Sequence, residues 1–249
     1  MKRPLHHLLV MAFLFCCVFS GAKAETAIEG IMSLDPVGVD AYLQEKYSVA
    51  FPRFLKDAQR GKVWGMYLVG EMLQKGEGVP QNHAEAIKWF RRAAEKGHVE
   101  AMTSIGNAYE NGSGVPANLK EALKWYQGAA TKGSSTAMLS IGLMHAHGRG
   151  VPQDFAVAAK WFKDCAQRGS DVCMVSLGNY LKSGQGVEKD PISAYAWFNV
   201  AASRNGALSS VAASSRDQLA RELSSTELSK AQDLSLKLSS TYGRKASNK

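Results

Sequence analysis

The chain has 249 residues, 45% hydrophobic and 21% charged, which is enough for one or two folded domains and too apolar for a disordered chain. Its formal charge of +8 is weighted to the ends: Lys2, Arg3 and Lys23 at one end and Arg244, Lys245 and Lys249 at the other leave +2 on the body. That is too little and too dispersed for a nucleic-acid-binding or membrane-binding surface.

Lys2 and Arg3 precede an apolar run from Leu8 to Phe19, and Ala22-Lys23-Ala24 is a small-x-small cleavage motif. Residues 1–24 therefore read as a secretory signal peptide cut after Ala24, with an uncleaved anchor as the alternative. The run is too short for a comfortable membrane span, and Phe15-Cys16-Cys17 lacks the small residue a lipoprotein anchor needs before its cysteine. No second long apolar segment follows, which predicts a soluble periplasmic or secreted protein with no membrane insertion after cleavage. Cleavage lowers the charge to +5, by removing Lys2, Arg3 and Lys23, and leaves Cys165 and Cys173. In an exported chain that pair is a disulfide candidate; the alternative is two free thiols in alanine-sized core positions.

Residues 25–60 read as an N-terminal helical cap. Asp35-Pro36 is an N-cap followed by a first-turn proline and opens a helix over about Pro36–Lys46; Ser48 to Arg60 is a degenerate second helix. A 36-residue period then sets in. Gly76-Glu77-Gly78-Val79-Pro80 returns as Gly112-Ser113-Gly114-Val115-Pro116, as Gly148-Arg149-Gly150-Val151-Pro152 and as Gly184-Gln185-Gly186-Val187-Glu188. Trp89, Trp125, Trp161 and Trp197 keep the step, each followed by Phe or Tyr, as do Gly70, Gly106, Gly142 and Gly178. Registered copies of this kind define a stacked repeat protein, here with units 61–97, 98–133, 134–169 and 170–206. Each unit reads as two helices. The first helices are predicted at about Val63–Lys75, Val99–Asn111, Thr136–His147 and Val172–Ser183, and the second at about His83–Lys96, Leu119–Lys132, Phe155–Arg168 and Pro191–Arg204. Glycines end the first helices, and Asn82, Asn118, Asp154 and Asp190 open the second, with Glu85 and Glu121 completing capping boxes. Residues 207–240 carry two capping helices, Ala207 to Leu223 and one opened by Ser224-Ser225-Thr226-Glu227, and 241–249 read as a disordered tail.

Ala101-x-x-x-Ile105-Gly106-x-x-Tyr109, then Gly-x-Gly-Val, then Ala-x-x-Trp-Tyr-x-x-Ala-Ala-x-x-Gly through Gly133, resembles the Sel1-like repeat, a relative of the tetratricopeptide repeat. The resemblance implies an all-α, right-handed α-solenoid of helix-turn-helix repeats with N- and C-terminal helical caps. His145, Leu73 and Leu181 stand where that pattern has Tyr, and Gly65 where it has Ala. The spacing of Cys165 and Cys173 resembles the bridge of cysteine-rich exported members.

No catalytic constellation stands out: the mature sequence has no Ser-x-x-Lys, Gly-x-Ser-x-Gly or His-Glu-x-x-His. His83, His98 and His147 are expected exposed at helix ends, and His145 and His147 are two apart, whereas a helical metal pair wants four. No metal or cofactor is expected. The Trp-aromatic pairs read as core, and Lys88, Lys124 and Lys160 before them as a solvated edge. If the first helices line the concave side, as tetratricopeptide geometry implies, a partner surface would comprise Trp64, Tyr67, Glu71, Thr103, Asn107, Glu110, Leu139, Leu143, Val175, Asn179 and Lys182. For Trp64 the competing reading is cover by the N-terminal cap. The expected function is an exported, non-catalytic scaffold or adaptor, such as a periplasmic regulator, monomeric and holding a protein or peptide on its concave face, with no nucleic acid. A periplasmic immunity protein against a secreted phospholipase-type toxin is the alternative, with a β-lactamase-like or cell-wall hydrolase and a structural spacer behind it.

Overall fold

The computed structural model describes residues 22–204 and 206–242, with side chains from Ala27 onward. Residues 1–21 of the expected signal peptide and 243–249 of the expected tail lie outside them. The described residues are helical without strands, in two compact units that meet in sequence between Trp125 and Tyr126.

The first unit holds α1 (Ala22–Met32), α2 (Pro36–Leu43), α3 (Tyr47–Gln59), α4 (Val63–Lys75), α5 (His83–Glu95) and α6 (Val99–Asn111); α7 (Leu119–Thr131) crosses the boundary. Neighbours in sequence pack as hairpins: α2 on α3, α3 on α4, α4 on α5 and α5 on α6. The hairpin ends follow from the repeated glycines and caps. Gly76 ends α4 in the left-handed region at φ +77°, its N–H bonded to Met72 O. Asn82 Oδ1 accepts from Glu85 N–H at 3.0 Å and starts α5. Only half of the expected capping box forms. The Asn82 N–H donates instead to Leu73 O at 2.8 Å, closing the hairpin, so Glu85 turns outward to Lys88 at 2.8 Å. Asn118 repeats this: its N–H donates to Tyr109 O and Glu121 pairs with Lys124. The second glycine answers a different demand. A methyl at Gly78 would lie 2.3 Å from the backbone of Tyr47, and one at Gly114 2.4 Å from that of His83.

Two departures from the sequence reading concern the N-terminal end. Helix α1 was not expected, because residues 25–35 carry no helix-start signal before Asp35; its Ala27 and Ile31, and Leu34 beyond it, are buried. Helix α2 stops at Leu43, short of Lys46, because Glu45 turns the chain at φ +57°. A non-glycine residue there is strained, so Glu45→Gly is expected to stabilise the fold by about 0.5–1 kcal/mol, read as a raised denaturant midpoint. The Gly65 departure also has a cause: a methyl there would stand 2.9 Å from the Ala58 backbone nitrogen, where α4 crosses α3.

The second unit holds α8 (Ser135–His147), α9 (Phe155–Gln167), α10 (Asp171–Ser183), α11 (Pro191–Ala202), α12 (Ser209–Glu222) and α13 (Ser225–Tyr242). Helix α8 packs on α9, α9 on α10, α10 on α11, and both α12 and α13 close over α11. Ser224 and Glu227 form a complete capping box, with Ser224 N–H donating to Glu227 Oε2 at 2.9 Å and Glu227 N–H to Ser224 Oγ at 3.3 Å. Helix α13 runs on through Thr241 and Tyr242, two residues assigned to the tail from sequence. Half-buried Arg204 holds it there: it donates to Tyr242 O at 2.8 Å and to Gly169 O at 2.7 Å while paired with Asp171, and Tyr242 stacks on Trp197 at 5.7 Å.

The second aromatic of the pair is core in all four repeats, the tryptophan in two of them, where Trp89 and Trp197 are buried as well. Phe90 in the first unit and Tyr126, Phe162 and Phe198 in the second are fully buried, whereas Trp125 and Trp161 are only partly covered. Phe90 lies on Gly70, Phe162 on Gly142 and Phe198 on Gly178; a methyl at any of these glycines would stand 2.5–2.6 Å from the ring. The repeated glycine and the repeated ring are thus two halves of one packing contact. Trp89 and Trp125 instead carry arginines on their faces, Arg92 at 4.7 Å and Arg91 at 5.8 Å.

Cys165 and Cys173, both fully buried, form a disulfide with Cα atoms 5.7 Å apart, joining the end of α9 to the first turn of α10. Closing a loop of this length is worth about 2.5 kcal/mol in the chain-entropy account. Reduction is expected to lower the unfolding midpoint correspondingly and to expose two thiols; a thiol count unchanged by reductant would contradict the bridge.

Candidate interaction surfaces

In the first unit, Trp64, Tyr67 and Glu71 lie one turn apart along α4 and share a face. Tyr67 is the centre of an aromatic cluster. It stacks on His98 at 4.5 Å, meets the Trp64 ring edge-on at 5.9 Å and tilts against Phe90 at 5.8 Å; Trp64 also meets His98 edge-on at 4.5 Å. The Tyr67 phenol hydrogen-bonds Glu71, which pairs with Lys75 at 3.0 Å. Burial, followed by the charges of Glu71 and Glu100, pushes Tyr67 upward from the ordinary phenol range. The competing reading for Trp64 holds in part: its indole rests on Gly30 of α1, and the residue is half-buried. On α6, Asn107 is exposed and Glu110 half-buried. Thr103 is a correction. It is buried, with its hydroxyl donating to Val99 O at 3.1 Å, although Asn107 one turn on along α6 is exposed.

His98 is a second correction. It stands at a helix end, as expected, but its side chain is only 4% exposed. Its Nδ1 accepts from Ala101 N–H at 3.3 Å and caps α6. Desolvation lowers its pKa to about 4, so the ring is neutral at pH 7 and the Glu100 carboxylate 3.4 Å away is not an ion-pair partner there. The signal was present in the sequence: His98 precedes Ser134, itself an N-cap that accepts from Ala137 N–H, by one period. What the sequence did not carry was the pair of rings that cover it.

In the second unit, Leu139 and Leu143 lie one turn apart on α8. Leu143 is 39% exposed and Leu139 half-buried. On α10, Asn179 is exposed and Lys182 half-buried, but Val175 is buried and offers little surface. The exposed aliphatic of α10 is Val172, 42% exposed in its first turn, next to Cys173. Among the described residues no group of His, Cys, Asp and Glu is arranged to hold a metal, and no helix is long and apolar enough to cross a membrane.

The Sel1 repeat family model matches residues 65–98, 99–134, 135–170 and 172–206, more than half of the chain and the same helical hairpins described above. The chain belongs to the Sel1 repeat family. Sel1 repeats are in general non-catalytic scaffolds for protein–protein interaction, and the all-α repeat class expected from sequence is the observed one. This Sel1 repeat protein is similar to a Sel1 repeat protein from Oxalobacter formigenes at 28% identity and a TM-score of 0.67, over 81% of this chain and 86% of that one. It is also similar to c5321, a protective antigen of uropathogenic Escherichia coli with an SLR fold, at 25% identity and a TM-score of 0.51, over 79% of this chain. The match spans half the length of that antigen. The likeness to the immunity protein Pa5087 from Pseudomonas aeruginosa is lower, at 15% identity and a TM-score of 0.48 over 82% of this chain and 83% of that one, and does not bear on role. Among the curated proteins none matches.

Proposed function

We propose that this Sel1 repeat protein is an exported, non-catalytic scaffold or adaptor that holds a protein or peptide partner on the outward faces of its first helices. The observation that carries this reading is that Leu143 on α8 and Val172 on α10 remain exposed in the second unit, with Asn179 exposed two turns after Val172 on the same helix. Exposed apolar side chains rimmed by polar ones suit a partner rather than solvent. The buried Cys165–Cys173 bridge suits an oxidising compartment, in keeping with the signal-like N-terminus. Function on this reading is complementarity of shape and side chains, with no bond made or broken.

Leu139→Asp/Leu143→Asp is the direct test. Both positions are at least partly exposed, so the helix should remain folded by circular dichroism. Affinity capture from a periplasmic extract, followed by mass spectrometry, is expected to lose its specific partner on this change, by at least about tenfold for two desolvated contacts. Undiminished capture by a folded variant would remove the reading.

A further inference from the structure

We propose that the aromatic and acidic face of the first unit, formed by Tyr42, Tyr47, Tyr67, Glu71 and Glu77, docks a peptide segment bearing arginine or lysine. This deepens the scaffold reading and rests on it. The face is continuous. Tyr42 meets Tyr47 edge-on at 5.4 Å, its hydroxyl donates to Glu77 Oε2 at 3.4 Å, and Tyr67 with its Glu71 partner follows along α4. All three tyrosines are partly exposed. The electrostatics of the face are one-sided: Glu45, Glu71, Glu77 and Glu100 act on these phenols, opposed by the Lys75 ammonium, whose side chain is half open to solvent. Tyr42 is pushed up to about 12, by burial first and by the Glu77 charge next. Phenol rings beside carboxylates are the setting in which a guanidinium or ammonium gains both cation–π attraction and charge-assisted hydrogen bonds.

The extent of the face points to a peptide rather than to a lone cation, since its tyrosines and carboxylates are spread over α2, α3, α4 and the turn after α4. The span from Tyr47 at the start of α3 to Glu100 in the first turn of α6 also exceeds what one ammonium would cover.

The test uses the purified folded chain and two fluorescein-labelled probes, a nonapeptide repeating Gly-Arg-Ala and its counterpart repeating Gly-Glu-Ala, read by fluorescence anisotropy. The arginine probe is expected to bind and the glutamate probe not to bind. Raising salt from ~0.05 to ~0.2 M is expected to weaken binding, since part of the face is solvent-screened. Glu71→Gln/Glu77→Gln should weaken the arginine probe by about tenfold or more, while Glu188→Gln/Glu222→Gln, the same charge change at exposed positions of the second unit, should not. No binding of the arginine probe, equal binding of both probes, or equal loss in the two double variants would overturn the proposal. If partner capture is lost with Leu139→Asp/Leu143→Asp but kept with Glu71→Gln/Glu77→Gln, this proposal fails while the scaffold reading stands.

Discussion

Phe162→Ala is expected to destabilise the protein by about 3–5 kcal/mol, the cost of removing a fully buried ring and leaving a cavity. The ring is 1% exposed and lies directly on the Gly142 backbone of α8, so no neighbouring side chain at that spot can swing in to fill the space. Trp161→Ala is the informative comparison. Trp161 is the larger residue, yet it is only partly covered, and the expected loss is smaller. Gly142→Ala attacks the same contact from the other side, since its methyl would stand 2.6 Å from the Phe162 ring. Combined with Phe162→Ala, it should cost less than the sum of the two single changes, because the truncated ring leaves room for the methyl. Urea unfolding midpoints of the four variants decide the matter. A Trp161→Ala loss equal to or above that of Phe162→Ala would show that Trp161, despite its exposure, carries as much of the packing here as the buried ring.

The second large effect is a pH dependence centred on His98. Its folded-state pKa, about 4, lies below the ordinary histidine value of 6.5, so the native state binds fewer protons than the unfolded one. The associated stability is fully present above pH 6.5 and is lost as pH falls from about 6.5 towards 4. The loss amounts to about 3 kcal/mol, at 1.36 kcal/mol for each unit of the difference. The structural reason is specific. Protonated Nδ1 can no longer accept from Ala101 N–H, and a positive charge would be placed at the start of α6, where the helix dipole opposes it. Glu100, 3.4 Å away, offsets part of that repulsion. His98→Asn keeps an acceptor at the cap but does not titrate. Unfolding free energies of the two proteins, measured between pH 7 and pH 4, should therefore converge or cross as the native protein loses its histidine contribution. Parallel pH profiles would show that His98 is not held neutral in the fold.

Features set by neighbouring residues were legible in the amino-acid order. Gly76, Gly112, Gly148 and Gly184 end helices because a left-handed residue is needed there, and Asn82, Asp154 and Asp190 start them because their side chains reach orphan N–H groups two or three residues on. These interactions are complete within one turn, so the 36-residue rhythm and the paired helices could be read before any packing was known. The disulfide could be read as a candidate for a similar reason, its two cysteines being eight residues apart.

Burial depends on what arrives from elsewhere in the chain, and there the sequence alone did not decide. Of Trp161 and Phe162, it is Phe162 that reaches Gly142 of the partner helix and is fully buried, a choice set by the rotation of α9 against α8 rather than by residue type, since Trp89 and Trp197 are buried in their repeats. His98 is buried because Trp64 and Tyr67, more than thirty residues before it, pack on its ring, and Thr103 is buried while Asn107, one turn on along the same helix, is exposed. Local hydrogen bonding and backbone sterics gave each helix its ends; which faces were left open to a partner was settled only when the helices packed and excluded water from the others.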